Sequence, residues 1–534
     1  MLEGDGYSFA GRCEDTMVLH AIAHPEVGAI KGNTLNALCA KYTFEPFYKE
    51  DGKESRRLGD FAQLREYNCK DAAVTMEVWE KLAHIREDPA YMAMYEFTMA
   101  MLEPTLAMTH RGLLIDAARR DTAIAAHDAM LAVTLASLEV AAGRPVKPLS
   151  NKDCAALFYG EMGFKAFTRS RKGQDGEHSS TVTADDDALA RLAAGTAGRP
   201  PVEAARIIQD YRRIKKERDY LAAPLDADGR HRSSYRLRGT VSGRFSTAGT
   251  LWDTGGPHQI VPPAFQGLVI PSPGHFFWAI DKAKAEWAAV ALESGDLNML
   301  QCLGEGRDPY AWTAHLATGL PYKVVLAEAK AGKGLTNPDD FRRLRERWPE
   351  FKDARYVMPD WTVRAMFKEA CLAFNYRMSA ERFSMEMRIP LPQAKAIRDA
   401  YLRVYRGIPR RWSAVEYQVR TTRTLTTLVG YKVKWVGPMN VVLINQAINI
   451  SPQGAVNRLA KDGLLFAHQH PRLIPLIERH DEVFGEYPLA EMASAMDDLR
   501  ALADAMSASF EKDGRSLTVG NDLKVGLGTW RDMR

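Results

Sequence analysis

The sequence predicts a mixed α/β (α+β) chain of several domains. Three observations point to it. At 534 residues the chain is too long for one hydrophobic core. Helical patterns dominate from about residue 90 to 140 and again from Ala204 to Leu221. Beyond about residue 263, short apolar runs with strand character interleave with helical segments to the C-terminus.

Composition is that of a globular protein, 46% hydrophobic and 26% charged. No apolar run reads as long enough to cross a bilayer. The start, Met1 to Tyr7, is acidic and glycine-rich, unlike a secretory signal, so an intracellular, cytoplasmic protein is expected. The six cysteines are scattered, with no C-x-x-C pair, which argues against a zinc site and against a disulfide framework. A net charge of +4 says little about nucleic acid unless cations gather on one surface. Two clusters do gather in sequence: Arg212, Arg213, Lys215, Lys216 and Arg218, and Arg342, Arg343, Arg345 and Arg347. Each is either a solvated helix face or a grip for a polyanion.

Taken in order, residues 1–85 read as loops and short helices. Residues 165–200, rich in Gly, Ser, Thr and Asp, read as a flexible loop. The Ala204–Leu221 helix carries the first basic cluster, and residues 239–263 should be mostly irregular backbone. Phe276 to Ile280 is a buried-strand run that ends on Asp281, and a helix should follow from Ala285 to Glu293, closed by Gly295. Far downstream, strands at Leu473–Arg479 and Val483–Tyr487 flank His480, Asp481 and Glu482, which predicts a tight hairpin with an acidic tip. No internal repeat or low-complexity tract is present.

Three of these features can carry chemistry. Asp281, at a strand end, suits either a metal ligand or a helix N-cap. The adjacent carboxylates Asp481 and Glu482 repel unless a cation lies between them, or they form a plain polar turn. Arg364, Lys368, Leu372 and Tyr376 recur every four residues and so share one helix face. That face suits a triphosphate at its cationic end and a sugar and base at the other, or it is an amphipathic surface. Together the three match phosphoryl transfer, in which two metal ions clamp the attacking and leaving oxygens and cations neutralise phosphates.

On these residues the chain resembles the family A DNA polymerases, the group of bacterial DNA polymerase I and many bacteriophage replicative enzymes. The segment from Ala279 to Glu286 is similar to the first palm motif, the Arg364–Tyr376 series to the fingers helix, and His480–Glu482 to the third motif. Thr240–Thr247, TVSGRFST, and Ala447–Gly454, AINISPQG, are similar to two further family segments. The tail from Asp522 to Trp530 resembles the family's C-terminus, which implies a polymerase that is complete at that end.

The resemblance implies a right-hand architecture: a palm with an antiparallel sheet, and largely helical fingers and thumb. The expected bounds are 89–250 for the thumb and connecting region, 251–300 and 411–534 for the palm, and 301–410 for the fingers. It implies two Mg²⁺ ions on Asp281, Asp481 and the Lys282 carbonyl, with Glu482 as a supporting carboxylate. Arg364 and Lys368 would meet the nucleotide phosphates, and Glu286 would exclude a ribose 2′-hydroxyl beside Leu372 and Tyr376. Arg244, Asn449, Gln453 and His480 would contact primer-template DNA, while Arg212, Arg213, Lys215 and Lys216 would grip the duplex. The implied partners are primer-template DNA and dNTPs, with a processivity factor or separate exonuclease chain left open.

Three positions depart from the family pattern: Leu372 where Phe or Tyr is usual, Arg377 where Gly is usual, and Tyr310 where many members have His. Residues 1–88 resemble only the last part of a 3′–5′ exonuclease, through Tyr67 and Asp71 of its final Y-x-x-x-D motif and a segment around Cys13–Met17. One surviving ligand implies no exonuclease activity. A single-subunit RNA polymerase and a catalytically decayed DNA-binding protein remain the alternatives.

Overall fold

The computed structural model describes residues 11, 13–25, 32–46, 48, 59–172, 178–195, 200–282, 284–335, 337–507 and 509–533. The acidic start, Met1 to Tyr7, and residues 173–177 of the glycine-rich stretch lie outside the described residues.

The N-terminal part packs helices α1 (Thr16–Ala23), α2 (Leu35–Tyr42), α3 (Phe61–Lys81) and α4 (Pro89–Met99) around Leu19, Ile22, Leu38, Val78 and Tyr95. The expectation of short helices fails at α3, which runs 21 residues. The Asp60 carboxylate accepts from the Ala62 and Gln63 amides at 3.1 and 3.0 Å, and no Gly or Pro follows to stop the helix.

Helix α5 (Leu102–Arg111) leads to α6 (Ala117–Ala142). By length and composition α6 could cross a membrane, which corrects the expectation that no run is long and apolar enough. Here it packs along a later helix through Leu131 and Leu138, and its Asp128 pairs with Arg218 at 2.8 Å. The stretch expected to be a loop holds antiparallel strands β1 (Thr168–Lys172) and β2 (His178–Val182), then α7 (Asp186–Ala194). Asp185 caps α7 through the Ala188 amide at 3.1 Å. Helix α8 (Glu203–Leu221) is the partner of α6, and it matches the predicted bounds to one residue.

The sheet that positions the site has four antiparallel strands. The central one, β3 (His275–Lys282), carries Phe277, Trp278 and Ile280, all fully buried. It is followed by α9 (Ala285–Ser294), closed by Gly295 in the left-handed region at φ 58°. A helical block then runs through α10 (Leu297–Gly304), α11 (Pro309–Thr318), α12 (Tyr322–Ala331), α13 (Pro338–Arg345), α14 (Val363–Phe374), α15 (Ala380–Met387), α16 (Leu391–Val404) and α17 (Gly407–Thr422). Its core includes Trp287, Met366, Phe367, Phe374, Tyr401 and Tyr405. Helix α18 (Val441–Gln469) packs under the sheet. The chain closes with β4 (Ile474–Arg479), β5 (Glu482–Pro488), α19 (Met492–Ala505) and β6 (Asn521–Gly526). Strand order is β4-β5-β3-β6, so β3 is paired on both sides.

The second basic cluster divides. Arg342 and Arg343 are exposed beside Asp339 and Asp340, but Arg345 is buried. Its guanidinium meets the fully buried Glu328 at 2.9 Å and the Met358 carbonyl at 2.6 Å, and the Glu328 Oε2 accepts from the first amide of α14, Val363, at 3.0 Å. Glu328→Ala would leave a buried guanidinium unpaired and α14 without this anchor. A loss of about 3–5 kcal/mol in unfolding free energy is expected from urea denaturation. A loss below about 1 kcal/mol would contradict this role.

Candidate active site

The end of β3 meets the β4–β5 hairpin tip. Asp281 lies near the end of β3, as expected, and the strand runs one residue further, through Lys282. Its opposite neighbours are Glu482 in β5 and Asp522 in β6. Three carboxylates therefore stand in a row across adjacent strands, an arrangement that like-charge repulsion disfavours. At the tip His480 takes a left-handed backbone, φ 65°, and the Asp481 carbonyl accepts from the Lys282 amide at 3.2 Å. Burial, then the neighbouring Asp281 and Glu286 charges, push the Asp481 carboxyl up to about 7. Burial and the Glu482 charge push Asp281 up as well. These hard oxygen donors, short of positive charge, fit a divalent cation. Among the described residues no group of three His, Cys, Asp or Glu side chains is placed to hold a metal by itself.

Opposite the sheet stands α14. Between them lies a cavity of about 620 Å³. The sequence-predicted residues Arg244, Asp281, Lys282, Glu286, Arg364, Lys368, Leu372, His480 and Asp481 all line it, as does Tyr310. Lys368 is exposed, with no ion-pair partner among the described residues. Arg364 is committed: it forms a two-point pair with Asp308, Nε to Oδ1 3.0 Å and Nη2 to Oδ2 2.7 Å, beside the Tyr310 ring. Lys282 turns its own amine away, to the Asn521 side chain at 2.7 Å and the Val519 carbonyl at 3.1 Å. Burial lowers its pKa to about 8.

Glu286, in the first turn of α9, is held from two sides. Arg244 pairs with its Oε1, and the Tyr376 hydroxyl donates to its Oε2 at 2.8 Å. Tyr376 does so from beyond the helix, since α14 ends at Phe374, which corrects the expectation of one continuous four-residue series. The next residue, Arg377, has φ 64°, a left-handed turn that Gly adopts without strain, and its guanidinium meets Glu416 at 2.8 Å.

Other expected residues lie off the cavity. Glu482 is buried and pairs with Arg479 at 2.8 Å. Asn449 and Gln453 lie one turn apart on α18, and the Asn449 Oδ1 is buried without a partner. The α8 cations are largely used within the chain. Arg212 reaches the Pro148 carbonyl at 2.9 Å and Asp186 at 2.8 Å, Arg213 pairs with Glu217 at 3.4 Å and Lys215 with Asp219 at 2.5 Å, while Lys216 is exposed.

Sequence reasoning missed Asp308, Asp522, Lys284 and Trp287, although Asp308 sits in the GRDPY segment and Asp522 opens the C-terminal motif. Lys284 has φ 60°, at the start of α9, and its amine lies 3.4 Å from Asp308. Lys284, Trp287 and Asp522 line the cavity.

No protein-family model matches the chain. It is 24% identical over 407 residues to "DNA polymerase I, thermostable" of Thermus aquaticus, covering 72% of this chain and 42% of the relative. It is 23% identical over 455 residues to DNA polymerase I of Treponema pallidum, covering 80% and 40%. It is 23% identical over 560 residues to DNA polymerase I of Chloroflexus aurantiacus, covering 100% and 54%. The chain thus spans about half the length of the curated relatives it matches. Among solved structures, the POL domain of Pol1 from M. smegmatis, in complex with DNA primer-template and dNTP, matches with a TM-score of 0.72 at 17% identity, over 99% of this chain and 84% of that one. The homologues of this chain are DNA polymerase I proteins, family A, at low identity, and its fold is that of a DNA polymerase POL domain.

Proposed function

We propose that the chain is a template-directed DNA polymerase that adds deoxynucleotides to a primer 3′ end. The observation that carries this is the single cavity whose one wall is Asp281 and Asp481 and whose other wall is Arg364 and Lys368. In this reading the four-stranded sheet is the palm, residues 301–410 the fingers and 89–250 the thumb. Asp281 and Asp481 would hold two Mg²⁺ with the Lys282 carbonyl; bound there, the ions supply the positive charge that the attacking and departing oxygens require.

The chain's own groups do the rest. Lys368 approaches the nucleotide phosphates and gives a proton to the leaving pyrophosphate. Arg364, fixed by Asp308, presents charge at a set position. Arg244, Asn449, Gln453 and His480 lie along the DNA minor groove, whose acceptors are nearly the same for every pair. With Arg212, Arg213 and Lys215 in ion pairs, Lys216 is the remaining member of that group for the duplex backbone. The protein acts in the cytoplasm in this reading. In the segment that resembles the end of a 3′–5′ exonuclease, Asp71 accepts from the Tyr48 hydroxyl at 2.8 Å.

The test is primer extension with dNTPs or NTPs, in Mg²⁺ and then EDTA. Extension with dNTPs that EDTA abolishes supports the reading, and preference for NTPs favours a single-subunit RNA polymerase.

Glu286 provides a finer test. Held by Arg244 and Tyr376, its carboxylate cannot yield easily to a 2′-hydroxyl, and a poorly paired buried polar group costs roughly 1–3 kcal/mol. Glu286→Ala is expected to raise NTP incorporation about tenfold or more relative to dNTP, measured as the ratio of kcat/KM values. An unchanged ratio removes Glu286 from that role.

A further inference from the structure

Helix α9 runs from the cleft at Glu286 to a second cavity at its other end. Ten residues make the separation about 15 Å. The turn Ser294–Asp296, the start of α10 and the junction of α16 with α17 enclose about 410 Å³. Arg403, Arg406 and Arg410 line it. A fourth guanidinium, that of Arg515, lies against Gly295, 2.7 Å from the position a Cβ there would occupy. All four side chains are exposed, and none has an ion-pair partner among the described residues.

The contrast with the neighbours is informative. Arg411, one residue on, is buried and tied to Glu293 at 2.7 Å and to the Ile448 carbonyl at 2.6 Å. The one carboxylate lining the cavity, Asp296, is occupied by backbone: it accepts from the Asn298, Met299 and Gly407 amides at 3.1, 3.2 and 2.7 Å. Helix α17 follows Arg406 and has no acidic residue in its own first turn, so Asp296, bonded to its first amide, is the carboxylate at that end. Beside the arginines Leu297 is 80% exposed, and Tyr417, two turns from Arg410 on the same face of α17, is 72% exposed. Cations next to exposed apolar and aromatic surface suit a flexible polyanion that carries bases.

We propose that this cavity is a second nucleic-acid site, separate from the catalytic cleft. It takes the phosphodiester backbone of single-stranded DNA on Arg403, Arg406 and Arg410, with bases against Leu297 and Tyr417. The proposal builds on the polymerase reading, but its test does not need catalysis.

The test compares the full chain with its triple variant Arg403→Gln, Arg406→Gln, Arg410→Gln. Binding of fluorescein-labelled oligo(dT) and of a primer-template with a one-base overhang is followed by fluorescence anisotropy across a salt series. The variant is expected to bind oligo(dT) about tenfold more weakly, with a salt slope smaller by about 2, while the short-overhang substrate binds as before. Equal oligo(dT) affinity and slope in a variant that melts at the wild-type temperature overturns the proposal. Displacement of oligo(dT) by inorganic pyrophosphate at equal concentration also overturns it, because the cavity is then a free-anion pocket. If the triple variant does not fold, Arg515→Gln, on an exposed hairpin, must by itself weaken oligo(dT) binding, and no change there counts against the site. A chain that extends no primer but loses oligo(dT) binding with these arginines keeps this site and sinks the polymerase reading.

Discussion

Asp281→Asn or Asp481→Asn is expected to lower primer extension by roughly a thousandfold or more while primer-template binding persists. The fall corresponds to several kcal/mol of charge stabilisation at the reacting phosphoryl group. The same change should have an opposite effect on stability. The folded chain holds Asp481 protonated up to about 7, through burial and the Asp281 and Glu286 charges. A carboxyl whose folded pKa lies above its unfolded value stabilises the fold at low pH, and that contribution falls as pH rises toward about 7. Asn mimics the protonated form. In EDTA at pH 8, Asp481→Asn should therefore unfold at a higher temperature than wild type, by about 4 kcal/mol in stability, and the gap should close near pH 4. Added Mg²⁺ should stabilise wild type at pH 8 and the variant much less. A variant that retains near-normal turnover, or that is less stable than wild type at pH 8 in EDTA, contradicts the role given to Asp481.

The second large effect concerns α14. Its two cations look alike in sequence but differ in the fold. Arg364 is locked on Asp308 by two hydrogen bonds, whereas Lys368 faces the cavity without a described partner. Only Lys368 is free to follow the phosphates and deliver a proton. Lys368→Ala should lower the single-turnover rate at saturating dNTP by about 10²–10³-fold. Arg364→Ala should act mainly on KM, because it removes fixed charge and frees Asp308. Lys368→Arg should restore binding more than rate, since a guanidinium does not release its proton near neutral pH. An unchanged single-turnover rate in Lys368→Ala excludes the acid role and leaves Lys368 as a phosphate contact.

Much of the site was legible because its pieces are local. The Phe276–Ile280 run, Gly295, and the acidic residues between two apolar runs each announce an element within a short window, and the structure has β3, α9 and the β4–β5 hairpin there. What was illegible depends on contacts between distant segments. Asp522 joins Asp281 only through the β3–β6 register. Asp308 meets Arg364 across two helices. In the α8 basic cluster Arg212 meets the distant Asp186, whereas Arg213–Glu217 and Lys215–Asp219 are pairs one turn apart that the spacing alone could have shown. Residues 165–200 misled for another reason. Ser and Thr favour turns but are also compatible with strands, and β1 and β2 pair as an antiparallel hairpin through their backbones. Tyr376 fell outside α14 because the turn at Arg377 stops the helix, a stop that the four-residue spacing does not reveal.

We propose that one cavity joins paired carboxylates to a cationic helix for deoxynucleotide transfer. The most direct measurement is extension of a labelled primer on a defined template by the full chain, with each dNTP in turn, in Mg²⁺ and in EDTA. Addition of the template-complementary dNTP is expected, with loss of addition in EDTA and in Asp281→Asn while primer-template stays bound. No addition by a folded, DNA-binding chain, or addition that survives Asp281→Asn, would contradict it.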